Sequence, residues 1–147
     1  MANSVQKDMQ GPDWPLGSIV VAVPGTPVVI TSLIDPSDVN EPDTPTPGTS
    51  GAGEYTIRAQ QILFQGVKSN AGAGTVNNTG NIYIVREGAG GGSGNRTDFG
   101  SIVAVLAPGQ TFILGSAALN RNVYNPYRYF IDADNANDAC QVTLIIQ

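Results

Sequence analysis

The sequence predicts an all-β chain, a two-sheet antiparallel sandwich of about eight strands with jelly-roll-like wiring and an extended N-terminal arm. Three observations lead there. Apolar residues make up 41% of the chain and charged residues only 13%, with 18 Gly and 10 Pro, a mix that suits many short strands joined by turns. Runs of β-branched and aromatic residues recur, with turn signals spaced roughly every 8 to 15 residues. No stretch carries a 3.6-residue apolar period long enough for a helix. At 147 residues the chain fits one domain, which buries roughly 68–70% of its unfolded surface.

Residues 1–16 are polar, then broken by Gly11, Pro12 and Pro15, with Trp14 between the prolines. This composition reads as an arm, in which Trp14 either anchors in a partner's pocket or folds back over its own domain. Residues 17–147 form the sandwich. Gly17 to Val23 and Val28 to Ile34 are apolar runs around the turn Pro24-Gly25-Thr26-Pro27, so a paired hairpin is expected. Their continuous apolarity implies cover on both faces, from the rest of the sandwich or a neighbouring subunit.

The segment 35–53 holds four acids (Asp35, Asp38, Glu41 and Asp43), four prolines and no base. Proline removes ladder donors and favours extended backbone, so a long surface loop is expected. Its alternative use is as an arm laid across a neighbouring subunit.

Strand character returns at Tyr55 to Val67, where Ile62 and Phe64 share one face and Gln61 and Leu63 the other. Asn77 to Val85 then joins a turn signal to a strand: Gly80 is expected to supply positive φ, Ile82 and Ile84 one face, Tyr83 and Val85 the other. The glycine-rich flanks, 70–74 and 88–94, read as connectors. Phe99 to Leu106 and Gln110 to Leu114 are strands about Ala107-Pro108-Gly109, where Pro-Gly predicts a type II turn. Tyr127, Tyr129 and Ile131 share a face in the next strand. Val142, Leu144 and Ile146 share one in the last, and Cys140 joins them in regular register.

The inventory excludes much chemistry. Histidine is absent and Cys140 is the lone cysteine, so His/Cys zinc sites, His-based triads and an intrachain disulfide are ruled out. The start Met-Ala-Asn-Ser-Val-Gln-Lys lacks the apolar core of a signal peptide, so synthesis in a cytosol is expected. Net charge is −5, and the seven Lys and Arg are scattered. No nucleic-acid partner is expected without a cationic surface to displace counterions, and no apolar run approaches the ~20 residues of a membrane span.

Gly88 to Gly94 lacks the Lys-Ser/Thr pair and following helix of a phosphate cradle. Asp132, Asp134 and Asp138, with Asn135 and Asn137, are calcium candidates by ligand type. They depart from an EF-hand loop, with Asn137 where its glycine belongs, and Asp and Asn are also what a hairpin turn wants. The same carboxylates, with Asp98 and Glu54 more distant, are the available acid/base groups. A glycosidase pair needs a cleft that nothing in the sequence indicates. No enzymatic activity and no cofactor are expected.

Four motifs taken together, Asn78-Thr-Gly-Asn-Ile-Tyr-Ile-Val85, Leu106-Ala-Pro-Gly-Gln-Thr-Phe-Ile-Leu114, Asn125-Pro-Tyr-Arg-Tyr-Phe-Ile-Asp-Ala133 and Asp138-Ala-Cys-Gln-Val-Thr-Leu-Ile-Ile146, resemble small β-sandwich virion proteins of tailed bacteriophages. The resemblance covers residues 55–147. It implies a head decoration or minor capsid protein, made in the host cytoplasm and carried on the capsid surface. Its implied partners are the major capsid protein or other virion subunits and further copies of itself, a trimer before a dimer. The arm 1–16 and the acidic loop, with Trp14, Asp35, Asp38, Glu41 and Asp43 as candidate contacts, are expected to reach neighbouring subunits. A tail or fibre component is the near alternative. A carbohydrate-binding module is the other, with Tyr83, Tyr124, Tyr127, Tyr129 and Trp14 as candidate stacking platforms.

Overall fold

A computed structural model describes residues 13–33, 59–70, 72, 74–87, 100–115 and 124–145. They form ten strands: β1 (Asp13–Val20), β2 (Val28–Val29), β3 (Gln61–Gln65), β4 (Val67–Asn70), β5 (Gly74–Asn77), β6 (Ile82–Glu87), β7 (Gly100–Leu106), β8 (Thr111–Leu114), β9 (Tyr129–Ala133) and β10 (Ala139–Ile145). Ile30–Leu33 and Pro126–Arg128 are single 3-10 turns. The second is set by its sequence. Asn125 caps it by accepting from the Tyr127 N–H at 3.0 Å, and Pro126 takes the first position, where no donor is needed.

Two four-stranded antiparallel sheets result, one in the order β1-β10-β3-β8 and the other β2-β9-β6-β7, with β4 and β5 as a separate hairpin. The pairs are nested: β1 with β10, β2 with β9, β3 with β8, β6 with β7. The chain is thus one long antiparallel ribbon folded at the β6–β7 connection and rolled so that successive pairs alternate between sheets, which is jelly-roll wiring. The expected sandwich is present, and the β4–β5 hairpin is an addition between β3 and β6.

Alternation decides the core. Ile19, Cys140, Val142, Leu144, Ile62 and Phe64 point inward from one sheet, and Ile82, Ile84, Leu106, Tyr129, Ile131 and Ala133 meet them from the other. Each buried aliphatic of this kind contributes about 1.5–3 kcal/mol. Tyr127 closes one end of the core from its 3-10 turn, 1% exposed. The outer face of the second sheet carries its own apolar row, Val29 beside Phe130 beside Val85. This accounts for the continuous apolarity at β2, where Val28 packs on the core and Val29 on the outer row.

Three expectations are corrected. The runs at 17–23 and 28–34 do not pair with each other, because the turn between them carries the chain from one sheet to the other, and Ile30–Leu33 leaves strand conformation. Residues 13–16, expected in the arm, belong to β1: Asp13, Trp14 and Pro15 lie opposite Ile145, Leu144 and Thr143, and Leu16 is buried. Pro15 is tolerated because β1 is an edge strand. The flank 70–74 is no simple connector, since Asn70 and Gly74 close the β4–β5 hairpin, with Gly72 and Gly74 at positive φ.

Candidate functional site

The rolled topology sends the connections to opposite ends. The β1–β2, β3–β6, β7–β8 and β9–β10 connections lie together at one end, and there the candidate carboxylates are found. The strand order places these four connections side by side, and hydrogen bonds join each to the next. Gly25 N–H donates to Asp132 Oδ1 at 2.8 Å. Val21 N–H donates to the Asp138 carbonyl and Asn137 N–H to the Val21 carbonyl. Gly66 N–H donates to the Gln110 carbonyl at 2.8 Å, and Gly109 N–H returns a bond to the Gly66 carbonyl at 2.9 Å. The Ala107–Gln110 turn takes the predicted form, with Gln110 N–H on the Ala107 carbonyl and Gly109 at φ 82°.

Asp132, Asp134 and Asp138 are not brought to one point. Asp132 faces the β1–β2 turn and also accepts from the Ala133 N–H at 2.7 Å. Asp134 accepts from the Asn81 N–H at 3.1 Å and the Tyr83 hydroxyl at 2.9 Å. Asp138 is fully buried and accepts from Thr79 N–H, the Thr79 hydroxyl and Gly80 N–H, and its ion pair with Lys68 spans 3.3 Å. Among the described residues no three acidic or Cys side chains gather as a metal-ligating group. Each carboxylate instead satisfies main-chain donors of a turn. Burial pushes the Asp138 carboxyl up, but the hydrogen bonds from Thr79, Gly80 and Lys68 outweigh it and hold the group below the ordinary carboxylate range.

Asn78 extends the same joint. Its side-chain amide donates to the Ala139 carbonyl at 2.7 Å and its oxygen accepts the Ala139 N–H at 2.9 Å, so a buried side chain imitates one rung of a strand ladder. The sequence marks Asn77 to Gly80 and Asp132 to Asp138 as turns. Nothing local in either says that they bind each other across sixty residues. Gly80 is not at positive φ as expected. It is needed for close approach: a Cβ there would lie 2.6 Å from the Asn135 amide and 2.9 Å from Asp134 Cβ.

The opposite end holds the starts of β1, β3, β7 and β9 and the ends of β2, β6, β8 and β10. Asp35, Asp38, Glu41 and Asp43 fall in the β2–β3 connection, outside the described residues, as do Glu54, Asp98 and the glycine run 88–94. Trp14 is placed by its backbone alone, opposite Leu144.

The tyrosines nominated as sugar platforms are spoken for. Tyr127 and Tyr129 are in the core, Tyr124 packs edge-on against Tyr129 with ring centroids 6.4 Å apart, and the Tyr83 hydroxyl is bonded to Asp134. Cys140 is buried, and desolvation pushes its thiol up to about 12. Comparison of the chain with family models, with curated proteins and with solved structures gave no match.

Proposed function

We propose that this chain is a non-enzymatic structural protein of a virion. It decorates the outside of the major capsid lattice of a tailed-phage head as a homo-oligomer, a trimer before a dimer, and stabilises the shell. The observation that carries the proposal is that β1 begins and β2 ends at the same end of the sandwich, where the two segments nominated for contact attach. Residues 1–12 lead into β1, and the acidic connection with Asp35, Asp38, Glu41 and Asp43 leaves β2, at the same end of the sandwich. Two tethers that start from one end can engage one neighbouring surface together, so the second contact forms at high effective concentration. The jelly-roll wiring agrees with this role, being common in capsid and lectin domains. Of the aromatic residues nominated for the alternative, a carbohydrate-binding module, Tyr127 and Tyr129 are buried.

The test is binding of purified protein to shells that lack it, read as occupancy. Deleting residues 1–12, which leaves β1 intact, and neutralising Asp35, Asp38, Glu41 and Asp43 to Asn or Gln are each expected to weaken attachment about tenfold or more, roughly 1.4 kcal/mol. Unchanged occupancy in both variants would refute the proposal.

A further inference from the structure

The two sides of the sandwich end in strand edges that are built differently. On one side lie β1 and β2. β2 is two residues long before the chain turns into a 3-10 helix. β1 carries Asp13 and Pro15 and a register shift between Pro15 and Gly17. Short strands, charge, proline and bulges are the means by which edges avoid pairing with another chain.

On the other side lie β7 and β8, seven and four residues long, and no strand among the described residues pairs with their far sides. The sequence from Gly100 to Leu114 contains no charged residue. Three aliphatic side chains stand half exposed on it, Ile102 at 47%, Val105 at 49% and Ile113 at 51%. β7 is irregular only at Val103, where the register against β6 shifts; β8 is regular throughout. Ile102 and Val105 sit opposite Val85 and Tyr83 on the outer face of one sheet, and Ile113 sits opposite Leu63 on the outer face of the other. The open edges are therefore flanked by apolar side chains on both sides.

We infer that the β7–β8 side is the docking surface for a second copy of this chain, joined strand to strand at the open edges with Ile102, Val105 and Ile113 taken out of water. Charge identifies the occupant. Each copy carries −5, and none of that charge lies between Gly100 and Leu114, so two copies can approach here without opposing like charges. A partner chosen by opposite charge would find nothing to complement here. The edge amides donate and the edge carbonyls accept, and Ser101, Gln110 and Thr111 each do both, so the surface complements itself. β8 against its two-fold mate closes a dimer, and β7 against the β8 of the next copy closes a ring. This assigns a surface to the homo-oligomer in the proposal above and is independent of the shell contact, which occupancy on shells tests separately.

Sedimentation equilibrium of the full chain across the micromolar range tests the inference. The wild type is expected as a multimer, of two copies if β8 meets β8 and of three or more if β7 meets β8. Val105→Lys and Ile113→Lys are expected as monomers with unchanged far-UV circular dichroism. Val20→Lys, at a site 49% exposed on β1, is expected to leave the multimer intact. A wild type that is monomeric throughout, a multimer that survives Val105→Lys with Ile113→Lys, or equal disruption by Val20→Lys would each overturn it. Hydrogen exchange of the wild type gives a check that needs no variant. Amides of β7 and β8 are expected to gain protection as concentration rises, and constant protection would overturn the inference.

Discussion

The buried carboxylate of Asp138 accepts both the main-chain N–H and the hydroxyl of Thr79, at 3.0 and 3.1 Å. This relationship ties the β9–β10 turn to the entry of β6 at one end of the sandwich. Gly80 N–H and Lys68 complete its set of donors.

Removing the acceptor strands several donors at once. Asp138→Ala is expected to cost about 2–4 kcal/mol, the scale of leaving buried polar groups unpaired. Lys68→Ala, which removes a partly exposed ammonium, is expected to cost less than about 1 kcal/mol. Urea unfolding of both variants checks the contrast, and equal losses would mean that the ion pair, not the turn donors, carries the joint.

The same carboxylate gives stability a pH dependence. Its folded pKa lies below its ordinary value, so its contribution is fully present above the unfolded value of about 3.9 and fades as pH falls through the folded one. The wild type is therefore expected to lose its advantage over Asp138→Asn as pH drops below about 4. Thermal melts of the pair between neutral and acid pH measure it, and a constant difference would contradict the assignment.

Asn78 is expected to be intolerant of its nearest isostere. In Asn78→Asp the donor to the Ala139 carbonyl is replaced by a carboxylate oxygen, setting two acceptors 2.7 Å apart, and a loss of about 2 kcal/mol or more is expected. Asn77, whose residue is exposed, serves as the comparison for Asn77→Asp, with a change near zero.

Gly115 tests backbone geometry. Its φ is +95°, and a Cβ there would lie 2.6 Å from the Gln60 carbonyl and 2.7 Å from the Tyr124 ring, so Gly115→Ala is expected to destabilise by about 2 kcal/mol or more. Gly72→Ala, at φ +78° with open space around it, is expected to cost only about 1 kcal/mol. Matching melting temperatures for the two variants would remove the steric argument.

The thiol of Cys140 is expected to resist a disulfide reagent at pH 8 in the folded protein and to react fully in denaturant, because burial pushes it up to about 12. Rapid labelling of the native chain would show that the β10 face is open.

Local chemistry fixed much of this molecule. Alternation put Ile62 with Phe64, Ile82 with Ile84, Tyr129 with Ile131 and Val142 with Leu144 on shared faces, since a strand's side chains can point only two ways, and the structure buries those faces. Pro108-Gly109 named its turn because the two residues constrain φ directly. The all-β class followed from the same local signals. Pairing did not, because a strand's partners are chosen by which apolar faces can be buried together, a property of the whole chain. The adjacent runs at 17–23 and 28–34 therefore look like a hairpin in sequence, yet belong to different sheets. The three carboxylates of 132–138 look like one cluster, yet alternate strand faces and turn geometry send them to three different partners. The sequence by itself determined what each segment could be. Only the rolled tertiary structure decided that Asp138 would meet Thr79, that β1 would start and β2 would finish at one end, and that an uncharged pair of strands would lie last in the order of each sheet.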